Sequence, residues 1–208
     1  MATYSSLRYD FTPPTATTSA QVGLGSMKLI KSIDASSDST ISFVDGSSDV
    51  VLDNTYKTYL FTFTNIHPQT DDKRIYMGFS VDGGSNYNAT VTYTFFIAYH
   101  NEGDSAAGAQ YQTNSDGAQV TSNISFSEGI GNENDQHASG HLWLFNPSQT
   151  TYVKHFMGRC ARMYPGDESI VDDFTGGYVN TTSAVDAIQF SMSSGNIDSG
   201  TIKLYGIV

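Results

Sequence analysis

Cysteine is nearly missing from this chain. Cys160 is the single one among 208 residues, so no disulfide can close within it. A catalytic thiol would want a base and an orienting group. His155, five residues upstream, falls on the opposite strand face, so the plainer reading of Cys160 is a small buried residue. Long apolar runs are also absent: nothing approaches the about 18 residues of a membrane-crossing helix. Positive charge is scarce, with 10 Lys and Arg against 21 Asp and Glu and a net charge of −11. An acidic surface repels phosphate backbones and anionic lipid headgroups, which argues against nucleic acid as a partner and against membrane insertion. The opening MATYSSLRYDF lacks a basic segment followed by an apolar run, so no signal peptide is expected and synthesis is assigned to a cytoplasm. The N-x-S/T sequons at Asn88, Asn123 and Asn180 then read as incidental.

The chain is rich in aromatics and turn formers, with 13 Tyr, 12 Phe and 19 Gly. That mixture suits strands joined by polar turns rather than long helices. The length suits one β-sandwich or barrel of sizeable core. Strands are expected at MKLIKSI, STISF, KTYLFTFTNI, KRIYMGFSVDGG, ATVTYTFFIAY, NISFS, HLWLFN, TYVKHFMGRCA, AIQFSM and TIKLYGIV. In KTYLFTFTNI, Tyr59, Phe61 and Phe63 alternate with Leu60, Thr62 and Thr64. In TIKLYGI, Ile202, Leu204 and Gly206 face one way and Lys203, Tyr205 and Ile207 the other. A strand closing the chain is expected to pair inside a sheet, because a loose end frays. Asp82-Gly83-Gly84-Ser85 predicts a tight hairpin. The FFIA centre of ATVTYTFFIAY predicts burial on both faces. Asn101–Gln119 and Glu128–Gly140 read as long polar loops, and the acid-rich Tyr164–Phe174 as a solvated one. TTSAVDA has room for one helical turn. The expected fold is thus all-β: an antiparallel, jelly-roll-like β-sandwich of roughly ten strands over 27–208, carried on an extended N-terminal arm over 1–26.

The arm is too polar and broken to own a core. Tyr4, Tyr9 and Phe11 beside Pro13-Pro14 suggest that it docks on a partner, since a free tail has no use for three exposed rings. A frayed terminus is the plainer alternative.

Four stretches carry a likeness: NTYKTYLFTFTNIHPQTDD, YTFFIAYHNEGD, GNENDQHASGHLWLFNPSQTTYVKHF and GGYVNTTSAVDAIQFSMSSGNIDSGTIKLYGIV. Over about Ser32 to Val208 the chain resembles structural, tail-fibre-like or virion-surface proteins of marine and freshwater tailed phages, including cyanophages, which end in phrases like SGNIDSGTIKLYGI. The resemblance implies a virion setting after assembly in the host bacterial cytoplasm, with other capsid or tail proteins as partners through the arm. It also implies a homo-oligomer, a trimer foremost. It supplies no catalytic residues.

The candidates for chemistry are sparse. His137 and His141 are four apart, but Ser139-Gly140 interrupts a helix, and zinc wants three or four ligands; Asp135 or Glu133 is the nearest third. GNENDQ offers oxygens that calcium prefers, without the spacing of an EF-hand. Both read more plainly as solvated, so no metal and no cofactor is expected. Glycoside hydrolysis needs two facing carboxylates; Glu102, Asp104, Glu128 and Glu133 lie in loops, and nothing in the sequence brings them together. No G-x-S-x-G elbow is present. Trp143, in GHLWLFNP, reads as part of a buried central strand, with a sugar-stacking platform as the sharper alternative. Exposed tyrosines, Tyr111 and Tyr164 foremost, are the candidates for stacking on a host-surface glycan, beside Tyr99 and Tyr178. The expectation is a non-enzymatic virion structural protein on the particle exterior, a fibre or appendage component or a capsid decoration protein. A carbohydrate-binding host-adhesion module is the alternative.

Overall fold

The computed structural model describes residues 27–166 and 169–208. Thirteen strands and no helix appear among them: β1 (Met27–Asp34), β2 (Thr40–Val44), β3 (Thr58–Pro68), β4 (Ile75–Ser80), β5 (Val91–Asn101), β6 (Ala107–Tyr111), β7 (Gly117–Val120), β8 (Ile124–Ser125), β9 (Ala138–Phe145), β10 (Lys154–Met163), β11 (Ser169–Val179), β12 (Ala187–Met192) and β13 (Ile197–Ile207). Every pairing is antiparallel. A nine-stranded sheet runs β1-β13-β3-β9-β10-β11-β5-β6, with β7 also on β5, and packs on a four-stranded sheet β2-β12-β4-β8.

The pairing has a simple logic. β1 pairs β13, β2 pairs β12, β3 pairs β9 and β4 pairs β8. These concentric pairs are one long hairpin rolled up, which is the jelly-roll winding. Two excursions leave the roll. One, between β4 and β8, makes β5, β6 and β7; the other, between β9 and β12, makes β10 and β11. The excursions pair with each other, β11 on β5, and widen the large sheet beyond the roll.

The roll is held by rings from both sheets. Phe43 of β2 meets Phe61 of β3 at 5.3 Å, and Phe190 of β12 meets Phe63 of β3 edge-on at 4.9 Å. Phe126 follows β8 and sits 4.4 Å from Phe63. Such edge contacts add to what burial itself contributes. β13 lies between β1 and β3, with Ile202 and Leu204 buried as its alternation requires. Gly206 faces the same way, and a Cβ there would stand 2.3 Å from the Tyr56 ring, so only glycine fits.

Several sequence expectations are corrected. The count is thirteen strands, not about ten. The polar segment Asn101–Gln119 is no loop, because it pairs along the free edge of β5 as β6 and β7. Their side chains are largely exposed, which erased the apolar signal. Tyr164–Phe174 is no solvated loop either: β11 takes in Ser169–Phe174, with Asp172 and Asp173 matched to arginines of β10. The glycine turn is present, with Gly83 and Gly84 at φ +70° and +77°. It makes no hairpin, since β4 and β5 belong to different sheets. TTSAVDA forms no helical turn. FFIA is buried on one face only: Phe95 and Ile97 point inward, while Phe96 is exposed and stacks on Phe174 at 4.7 Å.

Candidate functional site

Nine strands facing four leave part of the large sheet's inner face without a partner sheet. Over β10 and β11 the residues Phe126–Gly129 help cover the inner face: Phe126 lies against Gly158, the Glu128 amide meets Asp173 and the Gly129 carbonyl meets Arg162. A cleft of about 370 Å³ remains, lined by Ile97, Tyr99, Gln110, Gln112, Glu128, Arg162, Tyr164, Ser169 and Val171.

Its floor is a buried polar network. Arg162 is 2% exposed and Asp173 fully buried, and Arg162 Nε donates to Asp173 Oδ2 at 2.8 Å. Arg162 Nη1 donates to the Gly129 carbonyl at 2.6 Å. The Glu128 amide donates to the same Asp173 oxygen at 2.8 Å. The Glu128 carboxylate takes the Arg74 guanidinium at 3.2 Å and the Ser115 hydroxyl. Burial pushes the Asp173 carboxyl up to about 6 against the pull of Arg162. Asp173 Oδ1 and Thr175 Oγ1 are enclosed without a hydrogen-bond partner among the described residues.

Aromatic rings form the walls. Tyr99 lies over Gly108 of β6, whose absent side chain leaves room for the ring. Tyr164 follows β10 directly; its amide donates to the Ser169 carbonyl at 3.0 Å, and its ring stands 5.9 Å from the Arg162 guanidinium carbon.

A second feature lies on the outer face of the large sheet. Register aligns Leu29, Tyr205, Leu60, Trp143 and Met157 in one row across five strands. Leu29 is 51% and Met157 56% exposed. The next row is Lys203, Thr62, His141, Arg159, Phe174, Phe96 and Tyr111. Arg159 binds Asp172 and lies 5.1 Å over the Phe174 ring. Burial, with Arg159 beside it, holds the His141 ring below the ordinary histidine range.

The residues singled out from the sequence scatter. Tyr164 lines the cleft, whereas Tyr111 sits on the outer face beside Phe96 and donates to Asp116 at 2.6 Å. Tyr4, Tyr9 and Phe11 lie outside the described residues. Trp143 is not enclosed on both faces: Leu142 and Leu144 fill the core, while Trp143 is half-buried on the outer face, with His141 edge-on at 6.4 Å. Of Glu102, Asp104, Glu128 and Glu133, only Glu128 reaches the cleft. No three His, Cys, Asp or Glu side chains converge as metal ligands among the described residues. Cys160 is buried on the inner face, its thiol pushed well above the ordinary range by desolvation, and His155 points the other way. Sequence reasoning missed Arg162, Asp173 and the two glutamines. An arginine alternating with apolar residues in TYVKHFMGRCARM was the one signal that hinted at a buried cation. Comparison of the chain with family models, with curated proteins and with solved structures returned no match.

Proposed function

We propose that this chain is a non-enzymatic structural protein of a tailed-phage particle, displayed on the particle exterior, attached through residues 1–26 and assembled as a homo-oligomer, a trimer foremost. The sequence resemblance supplies the setting. The observation that carries the assembly reading is the apolar row on the outer face of the large sheet. A row of Leu29, Tyr205, Leu60, Trp143 and Met157 flanked by Lys203 and Arg159 suits a second copy of the same chain. Arg159 is already matched by Asp172, so the exposed apolar surface of the row, rather than charge, is what a second copy would cover. The described chain enters this sheet at Met27, on the edge strand β1, and the attachment is assigned to residues 1–26 from the sequence.

The test is sedimentation of the full chain and of Leu29→Glu with Met157→Glu. The wild type is expected as a discrete oligomer and the double variant as a folded monomer. A wild type that stays monomeric at high concentration, or a double variant that sediments as the wild type does, contradicts the assembly reading. Particle incorporation of a chain lacking residues 1–26 tests the arm; normal incorporation contradicts the docking role of Tyr4, Tyr9 and Phe11. A second reading, adhesion to host glycans, is favoured by the cleft between Tyr99 and Tyr164.

A further inference from the structure

We propose that the cleft of Tyr99, Tyr164, Gln110, Gln112 and Glu128 over Arg162 is a binding subsite for a neutral mono- or disaccharide. The inference deepens the adhesion reading and rests on it for its biological setting; the chemistry comes from the cleft.

Its charge is internally balanced. Arg162 is matched by Asp173 and Arg74 by Glu128. Among the described residues no charge lining the cleft is left unmatched, and the acidic molecule as a whole repels anions. A neutral, hydrogen-bonding ligand is what such a site favours. Arg162 is 98% enclosed by its 2% exposure, with Nε on Asp173 and Nη1 on the Gly129 carbonyl. Arg162 lines the cleft with its Nε and Nη1 engaged by Asp173 and Gly129, so its guanidinium is held in a fixed orientation there. Gln110 and Gln112 each add a donor and an acceptor, and Glu128 and Ser169 add acceptors. Mixed donors and acceptors at fixed positions match neighbouring sugar hydroxyls.

The apolar side of a pyranose needs a flat partner. Tyr99 and Tyr164 supply two rings, one seated over Gly108 and the other over the Arg162 guanidinium. Both are thereby pre-set, which lowers the entropy lost on binding. The cavity, about 370 Å³, stands at the small end of the about 300–1,000 Å³ range of small-molecule sites. The other tyrosine candidate, Tyr111, has its hydroxyl taken by Asp116 and lies on the outer face, where no buried cation or glutamine pair supports it.

The experiment is an NMR titration of the full chain with glucose, galactose, mannose, N-acetylglucosamine, lactose and maltose. Glucuronic acid and N-acetylneuraminic acid serve as acidic comparisons. At least one neutral sugar is expected to saturate, moving signals of Tyr99, Tyr164, Gln110 and Gln112. Tyr164→Ala, at an exposed ring, is expected to weaken binding about tenfold. Tyr152→Ala, beyond the other end of β10 and about 30 Å away, is expected to leave the affinity unchanged. Three results overturn the proposal: no neutral sugar binds, only the acidic sugars bind, or Tyr164→Ala and Tyr99→Ala both bind as the wild type does. Adherence of the full chain to host cells tests the adhesion reading by itself, and adherence without sugar binding in the cleft overturns the subsite alone, so the two failures are told apart.

Discussion

Between the two sheets of the roll, Phe43, Phe61, Phe63 and Phe190 meet edge to face. At the same depth on β10 and β11 stand Lys154, Arg162, Ser169, Asp173 and Thr175. These are five of the nine buried polar residues in the described chain, gathered on two strands that the rolled hairpin does not need. Lys154 Nζ is fully enclosed and donates to the Thr181 carbonyl at 3.1 Å, and burial lowers its pKa. The roll is stabilised by shape and burial, which are non-directional and tolerant. The extension shares that core through Phe95, Ile97, Phe156, Val171 and Val179, and adds directional polar bonds that fail together when one partner is lost. The contrast assigns folding to the roll and places the proposed sugar subsite on the extension, where fixed polar groups line a cleft.

The largest expected effect breaks the roll. Removing residues 201–208 takes Ile202 and Leu204 from the core and unpairs β1 and β3 at once. We expect no cooperative thermal transition from that truncation, while removal of residues 1–26 leaves the melting temperature close to that of the full chain. A C-terminal truncation that melts cooperatively near the full-length temperature would reverse the assignment. Next comes Phe63→Ala, which empties the place where Phe126 and Phe190 converge. It is expected to cost about 3–5 kcal/mol in denaturant unfolding; a loss below about 1 kcal/mol would mean the ring cluster is not the centre of the core.

The extension answers to pH instead. Asp173 has a folded value raised to about 6, above its unfolded value near 3.8. Its contribution is therefore fully present below about pH 4 and is lost as pH rises through 6. The loss amounts to about 3 kcal/mol. Urea unfolding from pH 4 to 7 should show it, and Asp173→Asn should flatten that slope. A wild-type slope of opposite sign in this window, once the variant's slope is subtracted, would show that Arg162 keeps the carboxylate ionised. The smallest effect belongs to the outer face. Met157→Glu is expected to change unfolding free energy by no more than about 0.5 kcal/mol, because Met157 is exposed. Measured on the monomer in urea, a larger loss would mean that the outer row is part of the core.

The same contrast governs what the sequence revealed. Strands of the roll announce themselves by alternation, as in Tyr59, Phe61, Phe63 and in Ile202, Leu204. Every strand that escaped the reading, β6, β7 and β11, belongs to an excursion. β6 and β7 hide because both their faces meet solvent. β11 hides because Asp173 occupies a position where apolar side chains are expected, and its partner Arg162 is eleven residues away on another strand. Tyr164 was legible as a candidate ring. Its neighbours Gln110 and Gln112 were not, since their place over the cleft depends on β6 pairing with β5.

Native-state hydrogen exchange, read strand by strand, tests the division most directly. Amides of β3, β12 and β13 are expected to exchange only through global unfolding. Those shared by β10, β11 and β5 are expected to open earlier as one unit, at lower free energy and more readily as pH rises from 5 to 7. Equal protection across both groups, or greater protection in β10 and β11 than in β13, would contradict the account.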